Sequence, residues 1–206
     1  MTRGLLIAFE GIDGTGKSTQ LPLLATYLRG QGLVVIETRE PTNGPYGQQI
    51  RSLFQNRWQV SRQQELELFL LDRRQHVQDC ILPALDQGQI VLTDRYYFST
   101  AAYQGAAGCD PAEIFARNRF APEPDLVLLL TLSAGESIAR IRELRGEALN
   151  DFEQQDQLEK VAALFASFRQ GCIVRIPAAR PLTAVQSSIR EAVRLLLEKK
   201  GVTCVG

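Results

Sequence analysis

Eight consecutive residues, Gly11, Ile12, Asp13, Gly14, Thr15, Gly16, Lys17 and Ser18, follow the spacing G-x-x-x-x-G-K-[ST]. Glycines at these intervals allow a tight loop whose backbone N–H groups converge, and a helix opening at Lys17 adds the positive end of its dipole. Such a cradle holds a chain of phosphates. Lys17 would reach the β and γ groups, Ser18 would give an oxygen to Mg²⁺, and Thr19 continues the loop into the helix. A chance glycine-rich turn is the alternative, and lysine usage argues against it. Lysine occurs only at 17, 160, 199 and 200, so arginine makes up the other 19 of 23 basic residues. A compact ammonium suits the space between phosphates better than a planar guanidinium. The motif predicts a site for a nucleoside triphosphate and Mg²⁺.

Asp94 closes the apolar run Ile90-Val91-Leu92-Thr93 and is followed at once by Arg95. Strand ends in a doubly wound sheet line the ligand crevice, so Asp94 would orient Mg²⁺ or its waters there. Arg95 would meet a second phosphate, the acceptor's own. An exposed loop aspartate is the competing reading. No N-K-x-D element for reading guanine is present, which leaves a kinase for a small acceptor rather than a small GTPase.

The elements that must position these groups alternate along the chain. Apolar runs at 5–10, 33–38, 90–94, 126–132 and 172–176 read as buried strands. Helical patterns fill the spaces: one from Lys17 to about Gly30, and one opened by the capping box Ser61-Arg62-Gln63-Gln64, disturbed at Pro83 and stopped at Gly88. Further caps stand at Asp110, Ser133 and Thr183, the last opening a helix to Lys200. The fold class is α/β, a five-stranded parallel sheet with helices on both faces.

The length of 206 residues fits one domain, spanning 1–206. Twenty-three basic and 23 acidic residues cancel, which argues against a nucleic-acid polymer as partner. No apolar run approaches the roughly 20 residues that span a bilayer, and no signal peptide is evident, so no membrane is expected and the location is expected to be cytoplasmic. Cys80, Cys109, Cys172 and Cys204 form no C-x-x-C pair and read as reduced thiols. The single histidine, His76, disfavours a zinc site or a Ser-His triad.

Beyond the phosphate loop, specific stretches resemble the thymidylate kinase family over nearly the whole chain. They are F-E-G-I-D-G-T-G-K-S-T-Q at 9–20, T-R-E-P at 38–41, L-F-L-L-D-R at 68–73, D-R-Y-Y-F-S-T-A-A-Y-Q-G at 94–105 and P-D-L-V-L-L-L at 124–130. The resemblance implies a P-loop nucleoside monophosphate kinase fold, ATP as phosphoryl donor with Mg²⁺, dTMP as acceptor, and a homodimer. It also implies that Asp13 holds the acceptor's 3′-hydroxyl and that Arg39, Pro41 and Arg95 surround its monophosphate. Glu40 would stand near the Mg²⁺ water shell with Ser18 and Asp94. Arg51 would add a third arginine, or lie on a solvated helix face.

Arg73 falls within the apolar stripe Leu66, Phe69 or Leu70, Val77 and Ile81, where a guanidinium needs hydrogen-bond partners. In the family, residues at Phe69 and Arg73 stack on the pyrimidine and donate to its O4. The alternative is a core phenylalanine and a structural ion pair. Thr100 and Gln104 would complete the base edge, and Tyr103 would crowd the sugar 2′ position. The charged stretch 140–156 corresponds to a mobile lid. Gly14 carries no side chain, so the lid would supply the catalytic arginine, Arg145, with Arg140 stacking on adenine. Departures from the family's D-R-F-E at Asn150-Asp151-Phe152-Glu153 leave open an exposed loop without catalytic role. A nucleotide-binding paralogue without turnover and a kinase for UMP, CMP or a deoxynucleoside are the remaining alternatives.

Overall fold

The computed structural model describes residues 3–54, 59–145 and 154–202, without the side chains of Leu144 and Arg145. Five strands, β1 (Leu5–Glu10), β2 (Val35–Arg39), β3 (Ile90–Asp94), β4 (Leu126–Thr131) and β5 (Ile173–Pro177), form one parallel sheet in the order β2-β3-β1-β4-β5. β1 lies at its centre, where the winding reverses and a crevice opens at the carboxyl edge. Register aligns that edge: Phe9 pairs with Asp94, and Asp94 with Arg39.

Side chains alternate across the strands and fill two separate cores. Leu6, Ala8, Val91, Val127 and Leu129 pack on one face against α3 (Arg62–His76), α5 (Tyr97–Ala106), α6 (Pro111–Arg117) and α8 (Gln155–Ser167). Leu5, Ile7, Phe9, Leu92 and Leu128 pack on the other against α1 (Lys17–Gly30) and α9 (Leu182–Lys199). Burial on both faces is why β1, β3 and β4 read as continuous apolar runs; the edge strands β2 and β5 expose part of theirs.

The remaining helices are α2 (Pro45–Ser52), α4 (Leu82–Asp86) and α7 (Ala134–Arg145). The Ser61 capping box forms, with Ser61 Oγ accepting from Gln64 N and Gln64 Oε1 from Ser61 N. The disturbance expected at Pro83 takes the form of a wide π turn over Val77–Ile81. A proline ring clashes with the carbonyl four residues earlier and offers it no N–H, so the helix must widen upstream.

Five boundaries differ from expectation. β2 begins at Val35 because Leu33 N closes α1 onto Leu28 O, with Gly32 at φ +79°, a Schellman end. β4 stops at Thr131 and β5 runs from Ile173 to Pro177. α9 starts at Leu182 with Pro181 as its extended N-cap, so Thr183 is an interior residue and not the cap. Proline's fixed φ suits the turn into a helix. The stretch from Arg140, expected to open a lid, is still α7 as far as Arg145, because Ile141 is buried and Arg140 is anchored. Residues 146–153 lie outside the described residues.

Removing a fully enclosed side chain leaves a cavity between sheet and helix. Leu92→Ala should lower stability by about 2–5 kcal/mol, whereas Val34→Ala, at a side chain 60% exposed, should change it by less than about 0.5 kcal/mol. Urea denaturation checks both.

Candidate functional site

The phosphate loop joins β1 to α1 through three glycines with positive φ, Gly11 at +133°, Gly14 at +73° and Gly16 at +91°. At two of them close neighbours also forbid a side chain. A Cβ at Gly11 would lie 2.3 Å from Leu130 O, and one at Gly14 would lie 2.7 Å from Ser137 O on α7. Ser137 Oγ donates to Asp13 O, while Arg140 donates to Gly14 O at 3.5 Å and to Ala178 O at 2.9 Å. α7 therefore clasps the loop from outside.

Lys17 folds back into the loop, donating to Gly11 O and Ile12 O at 3.0 Å each. Thr15 Oγ donates to Ile12 O at 2.9 Å. Burial, with the neighbouring Arg95, pushes the Lys17 ammonium down to about 8. Ser18 and Thr19 are exposed at the start of α1. A cation so poorly solvated gains from any anion entering the loop.

A cleft of about 300 Å³ adjoins the loop, and its walls include Asp13, Arg39, Glu40, Pro41, Arg51, Phe69, Asp94, Arg95, Thr100, Tyr103 and Gln104. Every expected acceptor residue except Arg73 thus meets in one place, with Phe54 and Ser99 added. Arg95 dominates one end. Its backbone sits at φ +73°, and its guanidinium donates to Asp13 Oδ1 at 2.7 Å, Ser99 Oγ at 2.9 Å and Gly11 O at 3.1 Å. Tyr103 donates its hydroxyl to Asp13 Oδ2 at 2.8 Å, and the Arg95 guanidinium lies 5.0 Å from its ring centre. Burial works to raise the Asp13 carboxyl, but Arg95 and Lys17 outweigh it and hold the group at about 2. Arg39 and Arg51 reach towards Asn43 Oδ1, and Arg51 also donates to Pro41 O at 3.0 Å.

At the other end Phe69 is half-buried on the cleft wall. Gln104 is 1% exposed, and among the described residues neither its amide nitrogen nor its oxygen has a partner. An unpaired buried amide is costly unless something polar arrives to meet it.

Arg73 takes the ion pair that competed with base recognition. It is 1% exposed and donates from Nε and Nη2 to Glu40 Oε2 at 2.9 and 2.5 Å, and from Nη1 to Asn118 Oδ1 at 2.7 Å. A fourth hydrogen bond, from Nη2 to Thr100 Oγ at 2.9 Å, places it directly behind the cleft wall. Four of its five N–H donors are thereby engaged.

The Glu40 oxygens are correspondingly spoken for. Oε2 belongs to Arg73, and Oε1 lies 3.0 Å from His76 Nδ1. Ser18 and Asp94, expected with Glu40 beside Mg²⁺, border a second opening of about 410 Å³. Asp94 Oδ1 is buried without a partner among the described residues, as an oxygen facing a cation and its waters needs to be. No group of three or more His, Cys, Asp or Glu among the described residues could hold a metal by itself. A hard cation here must take oxygens from the phosphates as well.

Two functional groups lay outside the expectations. Glu10, a carboxyl at the end of an apolar strand, and His76, paired with Glu40 and 2.7 Å from Thr38 Oγ, both underpin the cleft. Their signal was a polar residue inside an apolar run, which names an anomaly without naming its partner. Arg145 closes α7, but its side chain lies outside the described residues, as does Cys204. Among the described residues Cys80, Cys109 and Cys172 form no disulfide. Among the described residues no helix is long and apolar enough to cross a membrane.

A family model described as thymidylate kinase matches residues 9–189. A protein named thymidylate kinase from Desulfotalea psychrophila is 54% identical over 195 residues, covering 95% of this chain and 96% of its own. Another of that name, from Xanthomonas campestris pv. campestris, is 51% identical over 166 residues, 81% of this chain and 72% of its own. One from Xanthomonas oryzae pv. oryzae is 48% identical over 163 residues, 79% and 71% respectively.

The His76 pairing has a measurable pH signature. Burial works to lower the imidazole, but Cys80 and Glu40 outweigh it and take the group from 6.5 up to about 9. Between these values the native chain keeps a proton that the unfolded chain has released, so stability falls as pH rises. From pH 7 to 8 the loss due to His76 should be about 1 kcal/mol. Urea denaturation of His76→Gln across that interval should show a flatter dependence than the parent.

Proposed function

The chain belongs to the thymidylate kinase family, and from that premise we propose how its own residues carry phosphoryl transfer from ATP to dTMP. The observation that carries the reading is the placement of Gln104. This unpaired, buried amide lines the same cleft as Arg95, which sits beside the phosphate loop. An acceptor with a polar base edge at one end and a phosphate at the other fits that arrangement.

In this reading Phe69 stacks on the thymine ring and Gln104 pairs with its polar edge. Thr100, itself anchored by Arg73, shapes the same wall. Tyr103 fills the space beside the sugar, and Asp13, held at about 2 by its cationic neighbours, accepts from the 3′-hydroxyl as a full carboxylate. Arg95, with Arg39 and Arg51, grips the acceptor phosphate. The loop from Gly11 to Thr19 holds the ATP phosphates, and Arg140 borders the adenine. Ser18 and Asp94 would hold Mg²⁺, which would supply charge neutralisation to the phosphates when bound. In this reading no side chain among the described residues takes up the phosphoryl group, and transfer is direct and in line. The same reading carries with it a cytoplasmic homodimer, and sedimentation at micromolar concentration tests the dimer.

Release of ADP in a coupled assay with dTMP, dUMP, UMP and thymidine tests the acceptor. dTMP should be preferred. Binding of ATP without turnover would leave a nucleotide-binding protein, and preference for UMP or thymidine would leave a different kinase. Gln104→Leu should raise the KM for dTMP about 5- to 150-fold, the cost of about 1–3 kcal/mol for an unmet polar edge, with the KM for ATP unchanged.

The transition state spreads negative charge over the γ-phosphoryl oxygens, and Lys17 with Mg²⁺ covers one side of it. Gly14 cannot carry a cation on the other, because Ser137 O closes the space. We assign that task to Arg145. Arg145→Ala should lower kcat by roughly 10³- to 10⁵-fold, the worth of an arginine finger, with both substrates bound within a few-fold of normal. Loss in Arg142→Ala alone would move the assignment one turn back.

A further inference from the structure

Glu10 ends β1 and is fully buried, yet the role assigned to the cleft makes no direct use of it. Its Oε1 accepts from Tyr96 N at 2.9 Å and from Ser99 N at 3.1 Å, and its Oε2 accepts from Ser99 Oγ. Tyr96 is the N-cap of α5 and Ser99 is its third residue, and no side-chain cap is supplied from within the helix. These are the donors a capping box satisfies from neighbouring residues; here a carboxyl from the central strand does so instead.

The Ser99 hydroxyl is the pivot. Giving its proton to Glu10 leaves its lone pairs for Arg95 Nη1, 2.9 Å away. Arg95 needs such support, because a non-glycine residue at φ +73° persists only where its surroundings over-determine it. Arg95 N donates to Phe9 O at 2.9 Å and Thr93 Oγ to Arg95 O at 2.8 Å, which fixes the backbone. Gly11 O, Asp13 and Ser99 then fix the guanidinium. α5 carries Ser99, Thr100, Tyr103 and Gln104, so its seating sets both ends of the cleft. Burial pushes the Glu10 carboxyl up to about 7 against the opposing pull of Ser99 and Arg95. Such a desolvated acceptor holds its donors tightly.

We propose that Glu10 is a positioning residue for the acceptor phosphate, acting through the Ser99 hydroxyl to fix where the Arg95 guanidinium faces the cleft. The inference rests on the reading that Arg95 grips that phosphate.

Ser99→Ala removes the hydroxyl while leaving both backbone bonds to Glu10, so the helix stays capped. It should raise the KM for dTMP about fivefold or more, the loss of one charge-assisted contact, with the KM for ATP within twofold and the melting temperature close to the parent's. Ser99→Thr, which keeps a hydroxyl, should recover most of the loss. Glu10→Gln can still accept from the two backbone N–H groups, but it turns an amide N–H on Ser99 Oγ, which reverses that bond and competes for the lone pairs the hydroxyl offers Arg95. It should show the same dTMP-selective change, and the double variant should be no worse than either single one. A normal KM for dTMP in Ser99→Ala would overturn the proposal. So would Glu10→Gln losses shared equally by both substrates, or additive losses in the double variant. Failure of the parent enzyme to phosphorylate dTMP would overturn the underlying reading instead, which separates the two.

Discussion

Arg95 spans the mouth of the phosphate loop, and the carboxyl edge of the sheet is organised around the charge it brings there. One guanidinium bonds the first carbonyl of the loop, the aspartate within the loop and the first turn of α5. A bare cation in so confined a place would be expelled or would draw in water. Asp13, and beyond it Tyr103, balance it with hydrogen bonds as well as charge. The register that levels Phe9, Asp94 and Arg39 makes this economical, since loop, cleft and cation opening all begin from one row of residues.

A second buried cation, Arg73, is treated differently. It is withdrawn from the cleft surface and paired with Glu40, which His76 supports from behind. Arg95 meets whatever enters, while Arg73 holds the wall that Arg95 faces. Breaking such a buried pair by removing one partner leaves an uncompensated charge, typically a loss of about 3–5 kcal/mol. Loss of function after truncating Arg73 would therefore mix base recognition with the integrity of Glu40, Thr100 and the loop between them.

The three central strands were readable because both their faces are covered, so their apolar runs have no other explanation in a chain of this composition. The phosphate loop was readable because its geometry demands glycine and lysine at fixed intervals. What escaped was whatever depended on partners distant in sequence. α5 shows no cap in its own sequence, because Glu10 supplies one from across the sheet. Arg73 announced a need for acceptors, but Glu40 and Asn118 come from other elements. Thr183 carries the cap signature, yet α9 starts one residue earlier from Pro181. Glu40 sits where sequence similarity puts a metal-shell carboxylate, and three-dimensional packing engages both its oxygens elsewhere.

The contact between Gly14 and Ser137 O bears on how this enzyme can change over generations. Every glycine codon lies one base from an arginine codon, so an arginine in the phosphate loop is mutationally close. Structurally it is remote, because a side chain there would strike the backbone of α7 and force a left-handed residue to carry a Cβ. α7 would have to withdraw first, abandoning the bonds from Ser137 and Arg140 to the loop. Glycine and arginine at this position are thus neighbours in sequence space separated by a barrier in conformation. A lineage that begins with this packing is held to its own solution.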